Sequence, residues 1–287
     1  MLPFPERLTD GYLALLMTVL VFAFSSGGYL AINEVKQPVF FWLCGGYIAL
    51  TLLLCAEELL VGRRSPVGLR EAARASSWTA RLLLVYLFFT LLSALCSPYG
   101  GAAWLGATRG EGAVTIGLYV ISCLLAARFG RPKVWHLHLL AATLTAQTVI
   151  CILQLHGGNP LGLYPEGVGW ADAGKLYSGA YLGTIGNTDF LGAYFSLSVP
   201  LLLAGLLRLK TRLRFAWLPG IVLALYVIAR MEVLSCVVGV LVGCAVAFPV
   251  ILPASAGARK RSALGIGAAA LAAVAVLFAV EIGRAHV

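Results

Sequence analysis

Hydrophobic residues in this chain come in long, nearly unbroken blocks, and the polar positions gather between the blocks instead of alternating with them. Neither the every-second-residue rhythm of a half-buried strand nor the one-sided stripe of a soluble amphipathic helix prevails. A spanning helix needs roughly 20 mostly apolar residues to cross about 30 Å of hydrocarbon. Nine blocks meet or approach that length: residues 12–32, 38–55, 82–97, 112–127, 134–155, 190–207, 215–229, 233–254 and 263–280. The third, fourth and seventh are short, as tilted, re-entrant or partly interfacial segments would be. Helix is predicted throughout, because backbone N–H and C=O groups find no water partners inside lipid. The expected fold class is therefore all-α, a polytopic helical bundle forming one transmembrane domain over residues 1–280.

Composition agrees. Hydrophobic residues make up 60% of the chain and charged residues 11%, with a mean hydropathy of +0.91. A soluble domain carries about a quarter charged residues. The net charge of +9 resolves into topology once its residues are assigned to loops. Arg7, the arginines at 63, 64, 70, 74 and 81, then Arg128, Arg131 and Lys133 all fall on one side. The same side takes Arg208, Lys210, Arg212, Arg214, Arg259, Lys260 and Arg261, making 16 basic residues against 4 opposite (Lys36, Arg109, Lys175 and Arg230). The positive-inside rule then predicts a cytoplasmic N-terminus. These cations sit in separate loops without a shared face, so nucleic acid is not an expected partner; membrane lipids are. The outward loops become 33–37, 98–111, 156–189 and the turn at 230–232.

The longest of these, 156–189, is rich in Gly, Pro, Tyr and Asp, which suits an ordered loop. Trp170, Tyr164, Tyr177 and Tyr181 fit an interfacial aromatic belt or, equally, stacking on sugar faces. Asn187 and Asp189 precede an apolar run and can cap a helix, whose outward N-terminus is also an anion site. Residues 169–175 imitate a phosphate loop but carry Leu176 where a hydroxyl should hold magnesium, and no strand precedes them. Arg109 and Glu111 either solvate a helix end or, through the guanidinium, meet a diphosphate. Arg230 and Glu232 interrupt an apolar stretch at the membrane–water boundary, either as a mutual pair or as a cation for a substrate phosphate. Gly239 and Gly243 form a small-xxx-small packing face. His136 and His138 point to different helix faces and make a poor metal pair; His156 ends the fifth span as a lone candidate base. The seven cysteines show no zinc spacing, and neither a metal nor another cofactor is expected.

Gly183-Thr-Ile-Gly-Asn187-Thr-Asp189-Phe-Leu-Gly-Ala-Tyr194, continuing to Pro200, resembles the Gly-Thr-x-Gly-Asn-x-(Asn/Asp)-x-Leu-(Ala/Gly)-x-Tyr hallmark of the O-antigen ligase/polymerase superfamily. The stretch from Gln154 and His156 through Glu166, and the run Ser97…Trp104-x-Gly106…Arg109-x-Glu-Gly112, are similar to Firmicutes-type members. The likeness covers about residues 80–255. It implies a membrane glycan ligase or polymerase that takes a polyprenyl-diphosphate-linked saccharide at the outer face of the plasma membrane. The acceptor would be a lipid, a wall polymer or a growing glycan, whose hydroxyl attacks the anomeric carbon while the carrier diphosphate leaves. Arg109, Lys175 and Arg230 would lie near that diphosphate, with Gly183, Asn187, Asp189 and Tyr194 completing the substrate site. The catalytic base is left unassigned, and the family is considered metal-independent. Relatives carry a Ser-Arg-Gly element whose arginine, by register, falls at Leu234; Arg230 lies one helical turn earlier, on the same face.

Residues 281–287 match what a common sequencing-library adapter would encode, so they are expected to be non-native, with the gene running on past residue 280. The competing classes are a secondary transporter and a non-catalytic scaffold. A transporter predicts internal repeats and polar residues at the membrane midplane; no clear repeat is visible, and Gln147 is the main polar residue within the spans.

Overall fold

The computed structural model describes residues 4–61, 77–107, 110–170, 172, 181–231 and 233–251. Arg109, Lys175, Glu232, the ninth predicted span and the 281–287 tail lie outside the described residues. The described part is helical and contains no strand. Five of its helices are long and apolar enough to cross a membrane: Gly28–Leu60, Trp78–Leu95, Val134–Leu155, Thr188–Arg208 and Arg212–Met231. Ala113–Phe129 and Leu234–Phe248 are shorter apolar helices. The chain folds as two compact units, the first from Met1–Ala23 and Asn33–Pro132, the second from Phe24–Ile32 and Lys133–Val287.

In the first unit, α1 (Phe4–Leu15) runs through a π turn at Leu16–Leu20 and lies antiparallel to α2 (Ile32–Leu60). Thr9 Oγ1 meets the Tyr47 hydroxyl at 2.9 Å, Tyr12 hydroxyl meets Cys44 Sγ at 3.2 Å, and the Tyr12 and Tyr47 rings stack at 4.1 Å. Lys36 Nζ donates to the carbonyls of Leu20 and Val21 at 2.7 and 3.0 Å, supplying partners to acceptors that a helix end leaves open. α3 (Trp78–Cys96) starts on the cap Ser77, whose Oγ accepts from the Ala80 N–H at 3.1 Å. It is apolar nearly all round, and Leu82, Phe88 and Leu95 are 61–70% exposed. In water that surface would be costly; in hydrocarbon it is the expected one. A short α4 (Gly101–Leu105) and then α5 (Ala113–Phe129) complete the unit.

The first and second predicted spans need correction. The single helix expected over 12–32 stops after Phe22, and residues 23–27 are not helical. Ser25-Ser26-Gly27-Gly28 forms a turn closed by the Gly28 N–H on the Ser25 carbonyl at 3.0 Å. The predicted outward loop 33–37 is instead the start of α2. A hydropathy reading runs through this turn because only two serines and two glycines mark it.

The second unit holds α6 (Val134–Leu155), α7 (Thr188–Arg208), α8 (Leu218–Met231), which continues a 3₁₀ turn at Arg212–Trp217, and α9 (Leu234–Ile251). The bounds of α6 are those the sequence predicts. Threonines 145 and 148 return their hydroxyls to carbonyls of their own helix, as an apolar setting favours. Thr143 bonds Tyr194 of α7 at 3.1 Å and Leu137 packs near Gly205, so α6 and α7 run antiparallel. Trp217 Nε1 donates to His138 Nδ1 at 2.9 Å, Gly220 lies on Thr145, and Tyr226 meets His156, so α6 and α8 run parallel. α7 and α9 also run parallel and pack closely: a Cβ at Gly239 would collide with Ser196 Oγ, and one at Gly243 would sit 2.7 Å from the Pro200 ring. Ser196 adds a bond to the Cys236 carbonyl at 3.3 Å. The small-xxx-small face does pack helix on helix.

Candidate functional site

Those helix directions decide what shares an end. In the second unit the C-terminus of α6, the loop after it, the N-terminus of α7 and the C-terminus of α8 lie together. His156, Asn187, Asp189 and Arg230 are thus at one end. Lys133, Arg208, Lys210, Arg212 and Arg214 are at the other, where Arg214 donates from Nη1 to the Leu206 carbonyl at 2.7 Å and to the Leu209 carbonyl. Among the described residues, Arg230 is the only Lys or Arg at the first end, alongside Asp172, Glu166 and Asp189.

The Gly183–Tyr194 element begins in a crowded part of this end. Gly183 is buried at φ +62°, its N–H donates to Gln154 Oε1 at 2.7 Å, and its carbonyl accepts from the Tyr29 hydroxyl at 2.7 Å. Gln154 Nε2 donates to that same hydroxyl at 2.8 Å, closing a three-membered ring of bonds. Gln147 Oε1 accepts from the Thr184 hydroxyl at 2.6 Å and, at 3.4 Å, from the Thr184 N–H. Both glutamines are 0% exposed. The logic is that of any non-helical backbone at membrane depth: each polar group must find a protein partner. Asn187 then caps α7, its Oδ1 accepting from the N–H groups of Asp189 and Phe190 at 2.8 and 3.2 Å. Asp189 lies exposed in the first turn, where a negative charge favours the helix dipole.

The preceding loop closes on the same tyrosine. Asn159 holds Tyr164 through both backbone groups, at 2.9 and 3.2 Å. The Tyr29 N–H donates to the Leu163 carbonyl at 3.0 Å, and a Cβ on Gly28 would collide with that carbonyl. Tyr164 packs edge-on to the Tyr29 ring at 4.8 Å, and Tyr181 stacks on it at 5.2 Å. Burial pushes the Tyr164 phenol above its ordinary range, so it stays a neutral donor to the Tyr181 carbonyl. Two of the ring groups read as belt or sugar platform therefore have a packing role here: Tyr164 and Tyr181 are spent on Tyr29.

Of the predicted site residues, Gly183, Asn187, Asp189 and Arg230 come to one end of the second unit. Tyr194 is deeper along α7 with its hydroxyl on Thr143. Arg230 is exposed in the last turn of α8. Its helical neighbour one turn back, Tyr226, meets His156 Nε2 at 3.3 Å with the rings nearly parallel. In the first unit, Glu111 accepts from the Tyr119 hydroxyl at 3.0 Å. Tyr29 was not foreseen, Gln154 only as part of the stretch that carries the resemblance, and Gln147 only as a mid-span polar residue. The signal was present: two glutamines seven residues apart share one face of an otherwise apolar helix.

Among the described residues no group of three or more His, Cys, Asp or Glu stands close enough together to hold a metal ion. Among the described residues the chain is all-helical, with five helices long and apolar enough to cross a membrane. Compared with protein families, with curated proteins and with solved structures, it matches none.

Proposed function

We propose that this is a multi-pass plasma-membrane glycan ligase or polymerase, with its N-terminus cytoplasmic. It moves a saccharide from polyprenyl diphosphate to a lipid, wall-polymer or glycan acceptor at the outer face. The observation that carries the reading is the shared end of the second unit: the described part of the loop, the capped N-terminus of α7 and Arg230 lie together, opposite five basic residues. That segregation supports an outward site under the positive-inside rule. An exposed arginine at the same end as a helix N-terminus suits a diphosphate leaving group.

Arg230→Ala is expected to lower glycan transfer in native membranes at least about tenfold, the loss of one charge-assisted contact of about 1.5–3 kcal/mol. Lysine at the same position should restore part of it. Unchanged transfer in Arg230→Ala and Lys175→Ala alike would remove the proposed diphosphate site. Sidedness has its own test. Asp189→Cys should react with a membrane-impermeant maleimide on intact cells, above the background of the native cysteines. Labelling only after lysis would place this end in the cytosol and defeat the reading.

Secondary transport is favoured by one feature, the interrupted first helix with Lys36 on its terminal carbonyls. Accumulation of an unmodified substrate without any glycosidic product would select it.

A further inference from the structure

Beyond its first turn, which carries Thr79 and Arg81, helix α3 is apolar round its circumference except along one line. From Tyr86 onward its polar residues are Tyr86, Thr90, Ser93 and the capping Ser97, spaced by 4, 3 and 4 residues, which is a single face of a helix. That face is one wall of a cleft of about 460 Å³ in the first unit. Phe89 and Ala94 of α3 and Ile116 of α5 supply apolar surface, and Glu111 stands where α5 begins. The volume falls in the range of small-molecule sites, about 300–1,000 Å³, and so does the lining: mostly apolar, with a few convergent polar groups. Thr90 returns its hydroxyl to the Tyr86 carbonyl at 2.9 Å and Ser97 Oγ accepts from the Tyr99 N–H at 3.2 Å, so Tyr86 and Ser93 are the hydroxyls of the stripe for which an apolar setting favours a polar partner.

The chemistry of that partner follows from the wall. Every polar side chain among the described lining residues is a hydroxyl or the Glu111 carboxylate. Hydroxyls donate and accept; the carboxylate only accepts and carries the one negative charge. A phosphate headgroup would meet like charge, whereas sugar hydroxyls can donate to Glu111 and exchange bonds with Tyr86, Ser93 and Ser97. The exposed apolar surface of α3 beside the cleft suits an acyl chain. We infer that this cleft binds an uncharged glycolipid, sugar head against the hydroxyl stripe and chain along α3. The inference stands whether or not the protein transfers glycan, since lipid retention is read without any turnover.

The test uses the purified protein in nanodiscs, with bound lipid read by native mass spectrometry. Glucosyl-diacylglycerol is compared with phosphatidylglycerol of the same chains and with free glucose. Wild type should retain the glycolipid at least about tenfold over phosphatidylglycerol, the scale of one net hydrogen bond, and free glucose should not compete. Ser93→Leu fills the cleft with a residue the surrounding lipid tolerates, and should abolish that preference. Glu111→Arg should turn the preference toward phosphatidylglycerol. Equal retention of both lipids by wild type, competition by free glucose, or an undiminished preference in Ser93→Leu would each overturn the proposal.

Discussion

Gly183→Ala should destabilise the protein by about 3 kcal/mol, roughly the sum of a backbone and a steric penalty. The backbone penalty arises because φ is +62°, where a Cβ costs roughly 1–2 kcal/mol. The steric one arises because that Cβ would collide with the Gln147 amide and come within 2.9 Å of Cys151 Sγ; overpacking of this kind costs about 1–3 kcal/mol. Gly157 offers an internal control. It also has a positive φ, +86°, but nothing lies within 4 Å of its Cβ position. Gly157→Ala should therefore cost only the backbone part, about 1–2 kcal/mol. Thermal unfolding in detergent, followed by helical circular dichroism, compares the two. Equal shifts for both variants would mean that the glutamine face does not constrain the element.

This comparison bears on what the Gly183–Tyr194 motif is for. Gly183 meets a crowded wall of α6, Asn187 caps α7, Gly192 lets Cys236 of α9 approach, and Tyr194 ties α7 to α6. Each of these residues has a structural reason to be of its type. The motif by itself is therefore weaker support for glycan chemistry than its length suggests. Arg230, whose exposed position no packing demand explains, is the more informative residue. For the same reason the Arg230 variants test the activity, while the Gly183 variants test the fold.

The helices were legible wherever a long apolar block has polar limits on both sides. α6 lies between Lys133 and His156, and α7 between Asn187 and Lys210; both follow from composition and capping. The first span was not legible, because hydropathy averages over a four-residue turn and cannot see that Gly28 admits the Leu163 carbonyl from 135 positions away in the chain. The clustering of Asn187, Asp189 and Arg230 was foreseen from loop parity alone, since alternate loops return to the same side. Loop parity could not indicate that Tyr29 would be the post to which the 156–189 loop is tied. That depends on groups meeting across 134 and 154 residues of sequence, the Tyr29 N–H on the Leu163 carbonyl and the Tyr29 hydroxyl on the Gly183 carbonyl. A stray glutamine in an apolar span is the residue that such a contact leaves visible.

The ring formed by Gln154, Tyr29 and Gly183 should behave as a unit. Gln154→Leu preserves volume but strips the buried Gly183 N–H of its acceptor and removes the donor to the Tyr29 hydroxyl. An unsatisfied buried group costs about 1–3 kcal/mol, so the variant should lose about 2–4 kcal/mol in total. Tyr29→Phe keeps the ring packing with Tyr164 and Tyr181 but leaves the Gly183 carbonyl and one Gln154 N–H without their partner, for a loss of about 2–3 kcal/mol. The double variant should fall short of the sum by about 1 kcal/mol or more, because the bond between the two side chains can be lost only once. Such coupling exceeds the roughly 0.3–0.5 kcal/mol within which independent sites add. Measured by urea or thermal unfolding in a mild detergent, additive losses would show that the two side chains act separately. The loop would then be held by packing against Tyr29, and its hydrogen bonds would be incidental to where the 156–189 segment sits.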